Sequence, residues 1–535
     1  MTTQTSGTIP GLMMDTPLLV RGLVQRAERN FAPREIVSAT QDGIERTSWG
    51  ELIGRARRLA AALHELGIRP GDRVATFGWN SRRHLELYLA VPSMGAVLHT
   101  LNIRLFDDDL HYIVGHAEDR VIFLDASLAG RMPDFEGVDH EILMPDAPGE
   151  RDGALEYEAL VESGDPEFAF PDIDENAAAA MCYTSGTTGR PKGVVYSHRS
   201  TVLHSLLANQ ADGIGVREAD TVMPVVPMFH ANAWGTPYAA ALAGAKLVLP
   251  GPRMEPDALA ELMIEEEVTM AAAVPTIWQA IAELEPTPSF PRLERLVCGG
   301  SAVPESLMRI YDERFGVPMI QAWGMTETSP LASISRVPPG GPEGEEAYAL
   351  RALQGRVVPL VDFRIDEEAG GELQVRGPTI ASAYYREEGG SEKFTEDGWL
   401  RTGDVAEVEH QAFIKLVDRT KDLVKSGGEW ISSVELENVI MAHPDVAEAA
   451  VVAMAHERWG ERPCACVVRR EGSELDREAV LEHLSDKVAK WWLPDRVEFI
   501  DEVPKTSVGK FDKKVLRARL AEEAGPGGQE RSLRA

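Results

Sequence analysis

One stretch constrains this chain more than any other: Tyr183-Thr-Ser-Gly-Thr-Thr-Gly-Arg-Pro-Lys-Gly-Val194. Small apolar residues from Ala177 to Cys182 predict a buried strand running into it, and Val194-Val195-Tyr196 a strand leaving it. Between them lie the hydroxyls of Thr184, Ser185, Thr187 and Thr188, the glycines Gly186, Gly189 and Gly193, and one lysine, Lys192. Glycine lets backbone N–H groups close on an anion, hydroxyls add neutral donors, and lysine supplies a mobile point charge. That is the composition of a polyphosphate cradle. Walker A is excluded by spacing, because Lys192 follows Gly189 by three residues and precedes Gly193. A shorter string of this kind would read only as a hairpin loop.

A cradle for polyanions sits oddly in this chain, whose formal net charge is −31. Nucleic acid and anionic membrane surfaces would be repelled. From Asp418 onward there are 19 Lys+Arg against 23 Asp+Glu, leaving 35 against 62 before it. The acidic excess belongs to the larger part, so local cations such as Lys192 must hold any anionic ligand. Four cysteines in 535 residues are too few for a disulfide framework. Cys464-Ala-Cys466 puts two thiols on one strand face, read as core rather than metal site. Met1-Thr-Thr-Gln-Thr-Ser-Gly7 lacks the regions of a signal peptide, and no apolar run approaches a membrane span. A cytoplasmic protein is expected.

The order of elements predicts α/β layers with parallel strands. Ser48-Trp-Gly-Glu51 fits a capping box before a helix carrying Leu52, Leu59, Leu63 and Leu66, with Gly67 as its stop. A strand follows at 74–77, a helix at 85–94 stopped by Gly95, and strands at 97–100 and 121–124. After the cradle the pattern repeats: helix 200–209, strand 222–226, helix 256–266, strand 270–274. The expected organisation is a large multi-subdomain N-terminal domain over 1–417, a hinge at 418–422, a small α+β domain over 423–523 and a disordered tail over 524–535.

Taken with the strings that follow it, the cradle resembles the phosphate-loop signature of the adenylate-forming superfamily, which includes acyl-CoA synthetases, firefly luciferase and peptide-synthetase adenylation domains. Gln321-Ala-Trp-Gly-Met-Thr-Glu-Thr328 resembles the superfamily's aromatic-Gly-x-Thr-Glu motif. The resemblance implies that Trp323 lies on adenine, Thr326 holds the α-phosphate and Glu327 holds Mg²⁺, with Thr184 a second metal-side group. Gln321, Ala322, Gly324 and Met325 belong to the same nucleotide wall, and Trp in place of the commoner Tyr keeps the stacking face. Val297-Cys-Gly-Gly-Ser-Ala302 matches the Gly-rich strand end beside adenine and acyl group, making Gly300, Ser301 and Ala302 candidates.

Further along, Gly398-Trp-Leu-Arg-Thr-Gly-Asp404 resembles the family's Gly-Trp-x-x-Thr-Gly-Asp segment, which implies Asp404 as the ribose acceptor and Arg419 as the matching ribose or phosphate contact. Pro504-Lys-Thr-Ser-Val-Gly-Lys510 resembles the family's C-terminal Pro-Lys-Thr-x-x-Gly-Lys motif, which implies that Lys510 reaches carboxylate and α-phosphate. Val226-Pro-Met-Phe-His-Ala-Asn-Ala-Trp234 reads as the start of a helix bearing His230 and Trp234. With Lys425-Ser-Gly-Gly-Glu-Trp430, which contributes Lys425, Gly427, Gly428 and Trp430, it resembles the fatty acyl-CoA ligase branch and its relatives acting on methylmercaptopropionate.

The implied activity is ATP-dependent joining of a carboxylic acid to coenzyme A through an acyl-adenylate, with the small domain pivoting at Lys421 between half-reactions. The implied catalytic set is Lys510, His230, Lys192, Thr326 and Glu327. A medium- or long-chain fatty acid is the expected acid and 3-methylmercaptopropionate its alternative. Loading of a carrier protein and a regulator without catalysis are the rival classes. The expected partners are ATP, Mg²⁺, coenzyme A and the acid, with no nucleic acid or integral membrane association and a homodimer as the assembly considered.

Overall fold

The computed structural model describes residues 9, 11–41, 43–184, 190–387, 392–427, 429–505 and 511–523. The expected tail lies outside these residues.

Two parallel sheets dominate the large N-terminal domain. In one, strands Leu155–Glu156, His140–Met144, Asp119–Asp125, Arg73–Phe77, Val97–Thr100 and Ala178–Tyr183 run parallel, and Gly193–Ser197 closes the edge as an antiparallel partner. The other has nine strands. Its parallel centre runs Met319–Gly324, Arg295–Gly299, Met270–Ala273, Thr221–Pro224, Lys246–Leu249 and Glu35–Ala39. Antiparallel strands close both of its edges. The central strands Arg73–Phe77, Asp119–Asp125, Thr221–Pro224, Met270–Ala273 and Arg295–Gly299 are buried almost throughout, with only Arg73 and Arg120 partly exposed, as expected of parallel strands covered on two faces.

Local sequence sets the element ends. Ser48 and Glu51 form the reciprocal capping box that starts helix Trp49–Glu65, and Gly67 leaves it with a φ of +89°. Leu52, Leu59 and Leu63 of that helix are core, while Leu66 is its C-cap and only half buried. Asn80 ties the two sheets together. Its side-chain amide donates to the carbonyls of Pro224 at 2.8 Å and Val226 at 2.9 Å, and its Oδ1 accepts from Met228 N–H at 2.7 Å.

A four-stranded antiparallel sheet, Asp362–Asp366, Glu372–Arg376, Leu400–Glu409 and Phe413–Arg419, leads to the smaller C-terminal domain. There a five-stranded sheet centres on the pair Val446–His456 and Gly460–Arg469. Cys464 and Cys466 are buried beside Ala450, Val452, Leu516 and Leu520, so the shared strand face is core. Among the described residues no cluster of His, Cys, Asp and Glu could hold a metal, and no helix is long and apolar enough to cross a membrane.

Candidate active site

The pair Ala178–Tyr183 and Gly193–Ser197 presents its connecting loop at the sheet edge. The neck of that loop is closed twice: Thr184 N–H donates to the Lys192 carbonyl at 2.9 Å, and Lys192 N–H donates to Thr184 Oγ1 at 3.1 Å. Ser185, Gly186, Thr187, Thr188 and Gly189 lie outside the described residues. Thr184 and Lys192 stand on the wall of a cavity of about 800 Å³. Lys192 Nζ is 2.6 Å from Glu387 Oε1 and 4.7 Å above the Tyr384 ring.

Across the cavity, the turn after strand Met319–Gly324 brings Ala322, Trp323, Gly324, Met325, Thr326 and Glu327 onto the wall. A Cβ at Gly324 would stand 1.8 Å from the Pro330 carbonyl oxygen, so only glycine fits there. Glu327 is buried, and the Tyr384 hydroxyl donates to its Oε1 at 2.6 Å. Burial, with Glu327 alongside, pushes the Tyr384 hydroxyl pKa up and keeps it a donor. Trp323 Nε1 donates to Asp404 Oδ2 at 3.2 Å, and Arg419 Nε holds Asp404 Oδ1 at 2.7 Å. Arg419 is on the wall; Asp404 sits just behind it. Gln321 turns away: its Oε1 accepts from Val303 N–H and its amide donates to the carbonyls of Ala352 and Leu353. Gly300 lines the cavity at a φ of +85°, and the chain then turns outward, leaving Ser301 and Ala302 exposed and off the wall.

His230 and Trp234 enter from a turn of reversed hand. Ala231, Asn232, Ala233, Trp234 and Gly235 have φ of 38, 47, 53, 54 and 71°, so the expected helix starts only at Thr236. Residues with side chains resist this hand by about 1–2 kcal/mol each, so surrounding contacts must impose it. Thr236 Oγ1 donates to the Ala233 carbonyl at 2.7 Å, and Cys182 Sγ lies 3.0 Å from Asn232 Oδ1. The turn throws both His230 and Trp234 onto the cavity wall.

From Trp234 the cavity follows one face of strand Arg295–Gly299, where the alternate residues Gly299 and Val297 line it. Gly299 leaves the entrance open: a Cβ there would lie 2.5 Å from the Ala322 oxygen and 3.5 Å from Trp234 Cη2. Val297, about 6.6 Å further along the strand, is still on the wall. Two residues before Val297 on the same strand, Arg295 is buried behind the cavity, with Nη2 2.6 Å from Asp220 Oδ2. Burial would raise the Asp220 pKa, but Arg295 and Arg217 outweigh it and hold the carboxyl at about 2. Arg295 also donates to the carbonyls of Ile214 and Gly215, while Arg336 donates to that of Gly213. Three successive carbonyls are thus pinned, and buried Ile214 is fixed on the wall.

On the remaining side Arg419, Thr420, Lys421, Asp422 and Phe511 line the cavity. Lys510, the neighbour of Phe511, lies outside the described residues, as does Gly428. Lys425, Gly427 and Trp430 do not reach the wall. They form an outward hairpin in which Lys425 Nζ lies 5.1 Å over the Trp430 ring and Gly427, at a φ of +62°, packs under Trp459. Behind the joint, Lys513 pairs with Glu437 at 2.7 Å. Burial nevertheless pushes the Glu437 carboxyl up to about 7, against the pull of Lys513.

Motif reading missed Ile214, Val297 as a wall residue, Tyr384 as the partner of Glu327, and Glu387. Val297 opens the Gly-rich string and Tyr384 begins a Tyr384-Tyr385 pair, so both carried some signal; Arg386-Glu-Glu-Gly-Gly390 reads as a polar surface turn.

The model of a family described as AMP-binding enzyme matches residues 24–385, and that of the AMP-binding enzyme C-terminal domain matches 435–510. The chain is 48% identical over 538 residues to a long-chain-fatty-acid–CoA ligase of Thermus thermophilus, covering 95% of this chain and 96% of that one. It is 44% identical over 530 residues to a 3-methylmercaptopropionyl-CoA ligase of Ruegeria lacuscaerulensis, covering 95% and 98%. Among solved structures it is similar to ATP-bound MatB from Rhodopseudomonas palustris, with a TM-score of 0.80 at 26% identity, covering 94% of this chain and 99% of that one.

Proposed function

The chain belongs to the family of AMP-binding enzymes, and from that premise we propose that it joins a medium- or long-chain fatty acid to coenzyme A, releasing AMP and pyrophosphate. The observation that carries the acid is the apolar descent past Gly299 and Val297 to Ile214, which continues directly from the nucleotide end of the same cavity. A short thioether acid is the second reading, favoured by the likeness to the 3-methylmercaptopropionyl-CoA ligase.

In the first half-reaction a carboxylate oxygen of the acid attacks the α-phosphorus of ATP, and the bond to the β-phosphate oxygen breaks as pyrophosphate leaves. Two anions must meet, so the protein's part is neutralisation and alignment. Lys192 and the loop from Thr184 to Gly189 hold phosphate oxygens, Thr326 the α-phosphate, and His230 borders the carboxylate. Thr184 and Glu327 are hard oxygen donors lining the same cavity, a set suited to Mg²⁺ carried in by phosphates, where the ion would offset developing charge. Trp323, with Ala322, Gly324 and Met325 beside it, bounds the adenine, and Asp404 with Arg419 holds the ribose.

In the second half-reaction the coenzyme A thiol attacks the acyl carbon and AMP departs. A pivot at 418–422, centred on Lys421 between a large unit over 1–417 and a small one over 423–523, would withdraw Lys510 and bring in Lys425, Gly427, Gly428 and Trp430. Phe511 on the cavity wall, with the Lys425 hairpin outside it, supports an adenylation-side arrangement here. A cytoplasmic location and a homodimer complete the reading, the latter open to light scattering.

The test is AMP release over free acids from propionate to palmitate, thioether acids included. An optimum among fatty acids with strict coenzyme A dependence is expected. An optimum at the thioether acid selects the second reading, and acyl transfer to a carrier protein without coenzyme A overturns both.

A further inference from the structure

Lys192 does not stand open to an incoming phosphate. Its Nζ is held at 2.6 Å by Glu387 Oε1, and both residues line the cavity. The second oxygen, Oε2, is buried and finds no hydrogen-bond partner among the described residues. The three residues that lead into Glu387 are each tied down. Tyr385 N–H donates to the Gly193 carbonyl at 2.8 Å, directly beside Lys192. The Tyr384 hydroxyl donates to Glu327, and both ends of the Arg386 guanidinium reach Glu118 at 2.6 Å. The carboxylate is therefore aimed at the lysine by its own backbone and is not a long side chain that wandered there.

We propose that Glu387 is an internal stand-in for nucleotide phosphate: it neutralises and positions Lys192 in the empty enzyme and must yield the lysine when ATP enters. The proposal rests on the reading of Lys192 as a phosphate ligand. An incoming phosphate oxygen and the Glu387 carboxylate compete for one ammonium, and each repels the other. ATP binding thus opposes an existing ion pair. Pyrophosphate release is aided by the same pair, because Glu387 can reclaim Lys192 as the product leaves. Glu387 is here a positioning residue that sets affinity for polyphosphate at both ends of the cycle.

The sign of the effect is what distinguishes this role. Removing a residue that merely supports the loop, or one that ligates a cation, weakens ATP binding. Removing a competitor strengthens it. Calorimetric titration with ATP and, separately, with pyrophosphate should show Glu387→Gln binding both several-fold more tightly, up to about five-fold, the scale of one part-exposed ion pair. Its KM for ATP should fall and its kcat fall with it, as pyrophosphate lingers, while the KM for the acid stays put. Glu387→Asp, which keeps the charge, should return most of the wild-type affinity. In a Lys192→Ala background the gain from Glu387→Gln should largely vanish.

Unchanged or weaker ATP binding by Glu387→Gln overturns the proposal, and so does an equal gain with and without Lys192. If Lys192→Ala itself leaves ATP and pyrophosphate affinity untouched, the phosphate-loop reading has failed first. Thermal melts of each variant separate these outcomes from loss of fold.

Discussion

The indole N–H of Trp323 donates to Asp404, 81 residues away in sequence, at 3.2 Å, so the residue proposed to bound the adenine also orients the proposed ribose acceptor. A phenylalanine would keep an aromatic face but lose that donor. Hydrogen bonds to charged groups contribute about 1.5–3 kcal/mol, and part of that should be lost with a mobile Asp404. Trp323→Phe should therefore raise the KM for ATP about ten-fold or more, with the acid's KM within about two-fold of wild type. Steady-state kinetics in both substrates check this; equal rises in the two KM values would detach Trp323 from the nucleotide.

Under the proposed reading, Ile214 and Trp234 should set chain length. Ile214→Ala should move the preferred fatty acid towards longer chains, because the backbone behind it stays fixed by Arg295 and Arg336. Trp234→Ala should also alter the profile, more than it alters the KM for ATP. Each buried methylene contributes about 0.8 kcal/mol, so preference should change several-fold per two carbons. A flat, unaltered profile for both variants returns these residues to ordinary core.

The proposed domain alternation should separate the half-reactions. Lys510→Ala should abolish acyl-adenylate formation yet still convert supplied acyl-adenylate and coenzyme A into thioester. Gly428→Leu should do the reverse, because a side chain on the glycine pair obstructs the pantetheine arm. Assaying the two steps separately checks both, and equal loss in both steps for both variants rules the alternation out.

Glu437 should give the small domain a recognisable pH signature. Its carboxyl is raised to about 7 by burial despite Lys513, and Asp418, itself pushed up by burial, lies nearby. Between its ordinary value and about 7 the folded chain binds the proton and the unfolded chain does not. Its contribution to stability is therefore complete at low pH and is lost as pH rises through about 7. Glu437→Gln should flatten this part of the melting-temperature profile between about pH 5 and 8, read by calorimetry, relative to the parent.

What the sequence makes legible is local. Ser48 and Glu51 are three residues apart, and their capping box can be read directly from the order of the residues. The strand pair around the phosphate loop is legible for the same reason: small apolar residues flank a run that cannot be strand. The α/β order follows from spacing alone, and the motif strings point to Lys192, Trp323 and Glu327. What escapes are relationships over distance. Glu387 is 195 residues from Lys192, and nothing near either predicts the pair. Gln321 sits inside a nucleotide motif, yet backbone groups at Val303, Ala352 and Leu353 claim its amide. Helix periodicity likewise cannot announce a turn of the wrong hand after His230, since tertiary contacts impose it against local preference.

That turn has a consequence for how the protein can change. Ala231 and Ala233 occupy a backbone region that glycine enters freely and alanine does not. Folding stability is therefore available at these two positions through a one-residue exchange, and it is coupled to the bearing of His230 and Trp234 on the cavity. A selection for heat resistance alone should enrich glycine at 231 and 233, and a selection for turnover should reject the same exchanges.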